Sequence, residues 1–226
     1  MNKMKMWMAG LVLILGLGAA AFQPAAGQDF KAGDVLTFGS YEQDNNLSNG
    51  AEPISWLVLK ADGYVTEMIA QNGLDSQPFH NEYVPITWKD CSLRTWLNTE
   101  FYNSAFTDLE KAAMLNVSIN ETDQAAVSQN TADDHVFLLN QDEAGSLFAD
   151  DAARQMEATP YAKARGVYTW ADNGKSYWWL RGNMYYEKYA AGVNYDGVIP
   201  WSYTNETYTE NAVRPVIFVD WSKVAG

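Results

Sequence analysis

The apolar and polar positions fall into three successive stretches of different character. From residue 34 to 70 the pattern is that of strands. Asp34-Val35-Leu36-Thr37-Phe38-Gly39 predicts a short one. Ile54-Ser55-Trp56-Leu57-Val58-Leu59 and Tyr64-Val65-Thr66-Glu67-Met68-Ile69 flank Asp62-Gly63, a dipeptide suited to tight reversal, so the pair predicts a hairpin. The polar run Gln43 to Gly50 between the first two strands predicts a loop.

The pattern changes at residue 90. Leu93, Trp96, Leu97 and Phe101 follow the spacing of one helical face. Thr107-Asp108-Leu109-Glu110 is a capping box ahead of a helix running to about Leu115. His135-Val136-Phe137-Leu138-Leu139 predicts a short buried strand. Asn140 can then cap a helix with Glu143 at its third position, and Thr159-Pro160 opens another that Gly166 closes.

From residue 167 to 221 the chain is aromatic and strand-like. Five of the nine Trp and eight of the thirteen Tyr lie here. Tyr177 to Arg181, Ala190 to Tyr195 and Val213 to Val219 are candidate antiparallel strands, with Pro215 restricted to a strand start or edge. In Trp178-Trp179 successive rings face opposite sides of the strand, which predicts one in the core and one on a surface. Strands, then helices, then strands argue an α+β fold rather than alternating βαβ units. The absence of a long linker or repeat makes residues 28–226 one expected domain.

Composition narrows the function. A formal net charge of −13 disfavours nucleic acid as a partner, because phosphate would be repelled. One cysteine excludes an intramolecular disulfide and any cysteine-rich metal site. Residues 1–27 read as a signal peptide: Lys3 and Lys5, an apolar run from Trp7 to Phe22, then Ala25, Ala26 and Gly27. The expectation is a secreted protein, extracellular or held in the cell envelope, with no stable membrane insertion after cleavage. Cys91 is then unpaired and reads as a small buried residue rather than a nucleophile.

Several of these segments together carry a resemblance. They are Trp56-Leu57-Val58-Leu59, Thr87-Trp88-Lys89-Asp90-Cys91-Ser92-Leu93-Arg94-Thr95-Trp96-Leu97-Asn98, Asp134-His135-Val136-Phe137-Leu138-Leu139, Trp178-Trp179-Leu180-Arg181 and Val213-Arg214-Pro215-Val216. The series resembles the bacterial proteins grouped as domain of unknown function 6273. The last third is similar, more loosely, to the C-type-lectin-like and sulfatase-modifying core. That likeness implies a C-type-lectin-like α+β fold: a mixed or antiparallel sheet in which both ends of the chain meet, with several short helices in the middle of the chain. It implies no lectin activity, since the calcium-dependent sugar motifs are missing, and the lone Cys91 cannot supply the copper-binding cysteine pair of formylglycine-generating enzymes.

The candidate ligand site is the aromatic third. Sugars stack C–H faces on indole and phenol rings and bond hydroxyls to amides and carboxylates. Trp179, Tyr185, Tyr186, Tyr189, Tyr195, Trp201 and Tyr203 stand among Asn183, Asn194, Asp196 and Arg181. The same composition suits protein recognition. Arg181 and Arg214, in strands expected to be central, read either as internal ion pairs and carbonyl contacts or as a clamp for a ligand carboxylate. His80 and His135 lack the spacing of a zinc site, and no serine-hydrolase or phosphate-loop motif is present. No cofactor is expected, although an acidic exported chain leaves room for a structural calcium. The expected function is non-catalytic recognition of glycan or extracellular protein. A secreted hydrolase with paired carboxylates acting on polysaccharide, and an interaction scaffold without small ligand, remain open alternatives.

Overall fold

The computed structural model describes residues 29–122, 129–183, 188–200 and 204–224. The expected signal peptide and the candidate site residues Tyr185, Tyr186, Trp201 and Tyr203 lie outside the described residues, as does the side chain of Asn183. Among the described residues no helix is long and apolar enough to cross a membrane.

Twelve strands form: β1 (Val35–Tyr41), β2 (Glu52–Asp62), β3 (Val65–Ala70), β4 (Asp75–Ser76), β5 (Val117–Thr122), β6 (Gln129–Asp134), β7 (Val136–Phe137), β8 (Trp178–Asn183), β9 (Tyr189–Val193), β10 (Thr204–Asn205), β11 (Ala212–Val213) and β12 (Val216–Asp220). The first sheet has the order β1-β2-β3-β12-β7, so the earliest and latest strands share it. The second has the order β10-β9-β8-β11-β4, and β5 pairs with β6 separately. All pairings are antiparallel except β11 with β8. The fold is α+β, with its α-helices between residues 92 and 164.

Local signals in the chain produce the local elements. Gly63 takes φ +57° in the β2–β3 turn, a conformation only glycine adopts cheaply. Thr107 and Asn140 each accept from the third residue of the helix that follows, while Glu110 and Glu143 reach back. Those helices are α3 (Asp108–Ala113) and α4 (Gln141–Leu147); ahead of them come α1 (Ser92–Trp96) and α2 (Tyr102–Ala105), and after them α5 (Asp151–Arg154) and α6 (Pro160–Ala164). The expected helix over Leu93 to Phe101 is not regular. Leu97–Phe101 is a π-helical turn joining α1 to α2.

Arg214-Pro215 carries the chain from one sheet to the other. β11 ends the second sheet's share, and β12 begins in the first directly after Pro215, whose missing N–H costs no ladder bond there. The Arg214 guanidinium, buried at this crossing, donates to the Ala70 and Arg154 carbonyls and stands 4.9 Å from the Trp178 ring centroid. This is the internal carbonyl contact expected of a buried arginine rather than a ligand clamp.

One apolar cluster links both sheets and the helices. Five indoles are sealed within it, and each N–H finds a partner: Trp56 on the Phe38 carbonyl, Trp88 on Asp134, Trp178 on the Arg154 carbonyl, Trp179 on the Gln77 carbonyl, and Trp221 on Thr66. Burying an indole without such a bond would cost about 1–3 kcal/mol.

Candidate functional site

The aromatic third splits into an interior part and two surface parts. The alternation along the strand predicts one ring of the pair on a surface, with Trp179 in the candidate site, but both Trp178 and Trp179 are fully buried. The alternation of the strand is intact; what differs is that both faces of β8 are covered. Trp178 packs toward Phe148, and Trp179 toward Phe79, 6.0 Å between ring centroids. Arg181, also buried, forms a two-pronged ion pair with Glu143, 2.6 Å on each arm, and donates to the Leu138 carbonyl. Its partner is thus the capping glutamate of α4 rather than a ligand. Trp179 and Arg181 leave the candidate site for the core.

The two surface parts lie at opposite ends of β9. At its start, Tyr189 meets the edge of Tyr83, with ring centroids 6.2 Å apart, and the Lys188 ammonium lies 5.0 Å from the Tyr83 ring. A hydrogen bond with Tyr83, followed by electrostatic interaction with the same ring, raises the pKa of the Tyr189 phenol. Tyr195 follows the other end of β9. The five residues of β9 span roughly 15 Å, and Tyr195 lies in the turn beyond them, so the two tyrosines stand at opposite ends of the strand and not in one groove.

At the Tyr195 end, two reverse turns assemble a cluster of four rings. In the first, the Trp170 N–H bonds the Lys175 carbonyl and the Gly174 N–H bonds the Trp170 carbonyl. In the second, the Gly197 N–H bonds the Asn194 carbonyl, the Asn194 N–H bonds the Val198 carbonyl, and the Asp196 carboxylate accepts from the Val198 N–H. The turns bring Trp170 and Tyr195 into a parallel stack, centroids 4.1 Å apart and planes within 1°. Tyr177 meets Tyr195 edge-on at 5.4 Å, and Tyr168 lies 6.3 Å from both Trp170 and Tyr177. Tyr168 is exposed; Trp170, Tyr177, Tyr195, Asn194 and Asp196 are half-buried.

Charge gathers around these rings. The Tyr177 phenol is pushed above its ordinary pKa, first by burial, then by the neighbouring Tyr195 and Tyr168 phenols and by the Asp196 and Glu210 carboxylates. The patch therefore offers aromatic surface with anionic hydrogen-bond acceptors beside it. That combination can stack a sugar ring and accept from its hydroxyls.

Of the residues named from sequence, this patch unites Tyr195, Asn194 and Asp196. It adds Tyr168, Trp170, Tyr177 and Glu210, which sequence reasoning did not select. Their signal was the turn chemistry of Asp172-Asn173-Gly174 and Asp196-Gly197. Rings flanking a turn sit at the end of a sheet, where only one side is covered.

One acidic cluster bears on calcium. Carboxylate oxygens of Glu42, Asp44 and Glu52 lie within 4.8 Å of one another in the β1–β2 loop. They already receive loop N–H groups: Asn46 donates to Glu42 and Asp44, and Gln43 and Asp44 donate to Glu52. The cluster is accounted for by loop closure.

A family model described as a domain of unknown function (DUF6273) matches residues 55–221. The chain belongs to the DUF6273 family. The matched span of this DUF6273 chain runs from β2 through Trp221 and contains the four-ring patch. No curated protein and no solved structure matches the chain.

Proposed function

We propose that this DUF6273 protein is an exported, non-catalytic recognition module that binds carbohydrate through Tyr168, Trp170, Tyr177 and Tyr195. The single observation behind this reading is the partly exposed four-ring cluster with Asp196 and Glu210 beside it. An acidic chain favours a neutral glycan over an anionic one. The export step rests on the leader-like residues 1–27. A loosely C-type-lectin-like architecture belongs to the same proposal; β1 and β12 sharing one sheet and the Trp-Trp strand support it.

The carboxyl groups whose protonated form is favoured speak against hydrolysis as the primary role. Among the described residues these are Glu67, Asp134 and Glu206, each pushed up chiefly by burial. All three are buried, and none is among the residues of the four-ring patch. A general acid must touch the leaving oxygen.

Glycan-array screening followed by calorimetry on the hits tests the reading. Trp170→Ala and Tyr195→Ala are expected to weaken binding about tenfold each, with the fold retained, since each removes one ring of the stack. Full affinity in both variants would refute the site.

A further inference from the structure

A second concave site lies away from the four rings. It is a cleft of about 510 Å³ between the segment after β4 and the helical run from Ser92 to Ala105. Pockets of this size hold small organic ligands. One wall is Trp96, half-buried and 5.5 Å from Phe101. The π-helical turn Leu97–Phe101 supplies Thr99 and Glu100 to the lining while keeping Leu97 and Phe101 in the core. π-Turns are rare and concentrate at functional sites, because the extra residue re-aims side chains at a cost in helix geometry. Asn98, inside this turn, is pinned to β7 through bonds with the backbone of His135 and Val136. The turn is thereby held in register.

The hydroxyls that line the cleft have spent their protons, while Gln77 and Asn81 add carboxamides that both donate and accept. The Thr99 hydroxyl donates to the Thr95 carbonyl and the Thr95 hydroxyl to the Cys91 carbonyl. Ser92 Oγ lies 3.0 Å from His80 Nδ1, which already accepts the Ser92 N–H, so the hydroxyl donates here as well. The Ser92 oxygen in turn accepts the Asn81 N–H, so it is the Thr95 and Thr99 oxygens that turn lone pairs to the cleft. Arg165, at the rim, has its Nε on Asp75 at 2.8 Å, and Tyr41 also bonds that carboxylate. Its charge is matched within the fold. Asp90, which also accepts the Thr87 hydroxyl, and Glu100 are exposed and form no ion pair among the described residues. An anionic cleft with an indole wall and carboxamides that both donate and accept selects a hydroxylated cation with a C–H face.

We propose that this cleft binds an amine-bearing sugar of the glucosamine type, its ammonium group held by Asp90 and Glu100 and its ring against Trp96. The site is independent of the four-ring patch, and the hydroxyls of such a sugar suit the Thr95 and Thr99 lone pairs and the Gln77 and Asn81 carboxamides better than the single amine of a lysine side chain does.

The test is an NMR titration of the full chain with glucosamine disaccharide, its N-acetylated counterpart, and lysine dipeptide as a charge control. Glucosamine disaccharide is expected to shift the Trp96 indole signal and to bind about tenfold more tightly than either comparator. Glu100→Gln, at an exposed position, is expected to remove about tenfold of that affinity, and Trp170→Ala to leave it unchanged. Equal binding of the N-acetylated sugar, equal binding of the dipeptide, or full affinity in Glu100→Gln would each overturn the proposal. Failure here with retained sensitivity of a neutral glycan to Trp170→Ala would leave the four-ring patch standing, and the reverse result would remove the patch alone.

Discussion

Gly197 and the Asp151 carbonyl are in direct apposition: a Cβ built on Gly197 would fall well inside van der Waals contact with that oxygen. Gly197 also takes φ +85°, and its own carbonyl accepts from Arg154 Nε at 2.8 Å. The turn that carries Tyr195 is thus clamped onto α5 by shape, conformation and a charged donor at once. Gly197→Ala is expected to destabilise the fold by about 4 kcal/mol, since backbone must shift and a left-handed residue is strained besides. Thermal unfolding measures it. A melting temperature within 2 °C of wild type, with about 2–4 °C expected per kcal/mol at this size, would show that the apposition is not rigid.

The Arg181–Glu143 pair and the Lys223–Asp220 pair give opposite expectations. Arg181 is buried, Glu143 is half-buried, and Glu143 also closes the cap of α4. Glu143→Ala removes both functions and leaves the guanidinium with fewer partners in the interior; roughly 2–4 kcal/mol of stability should be lost. Lys223 is half-exposed beside Asp220 at 3.6 Å. Lys223→Ala should change stability by less than about 0.5 kcal/mol. Denaturant midpoints of the two variants, compared at equal m-value, decide whether burial sets the difference.

The elements that sequence disclosed were those whose cause is local. Thr107 with Glu110, and Asn140 with Glu143, need only three residues to declare a helix start, and both capping boxes form. Asp62-Gly63 declares its turn in the same way. The burial of Trp179 could not be read locally, because Gln77 and Phe79, a hundred residues earlier, cover it. The β5–β6 hairpin went unseen because few of its positions are apolar, Val117, Ile119 and Ala132 among them. At the candidate site, the residue types were legible and their grouping was not. Tyr189 and Tyr195 look like neighbours along the chain, yet extended backbone sends them to opposite ends of one strand.

Glu206 gives the pH dependence. Burial of its carboxylate raises its pKa to about 7, against smaller opposing effects of the nearby Val84 N–H and the Lys188 charge. The unfolded chain releases this proton near 4.5. Below that pH both states are protonated. Between about 4.5 and 7 the folded state holds the proton more tightly, so stability falls as pH rises; above 7 the loss is complete. The loss reaches up to about 3 kcal/mol. Glu206→Gln should be less pH-sensitive than wild type across this window. Parallel stability profiles of the two proteins from pH 4 to 8 would contradict the assignment, because the buried carboxyls of Glu67 and Asp134 titrate in both.

Cys91 reports on opening of the core. The thiol is fully buried, and that burial, outweighing the Arg94 and Leu93 N–H groups beside it, pushes its pKa up to about 12. Both effects suppress reaction: the thiolate is scarce and no reagent reaches the sulfur. A neutral thiol reagent should leave the native protein unmodified at pH 8 and should label one equivalent in denaturant. Because the sulfur also accepts from the Arg94 N–H at the start of α1, labelling requires this helical segment to detach from the sheets. The labelling rate should therefore follow the global unfolding equilibrium as denaturant is raised. Fast labelling without denaturant would mean that the segment opens alone, and the cleft that Trp96 and the π-helical turn line would open with it.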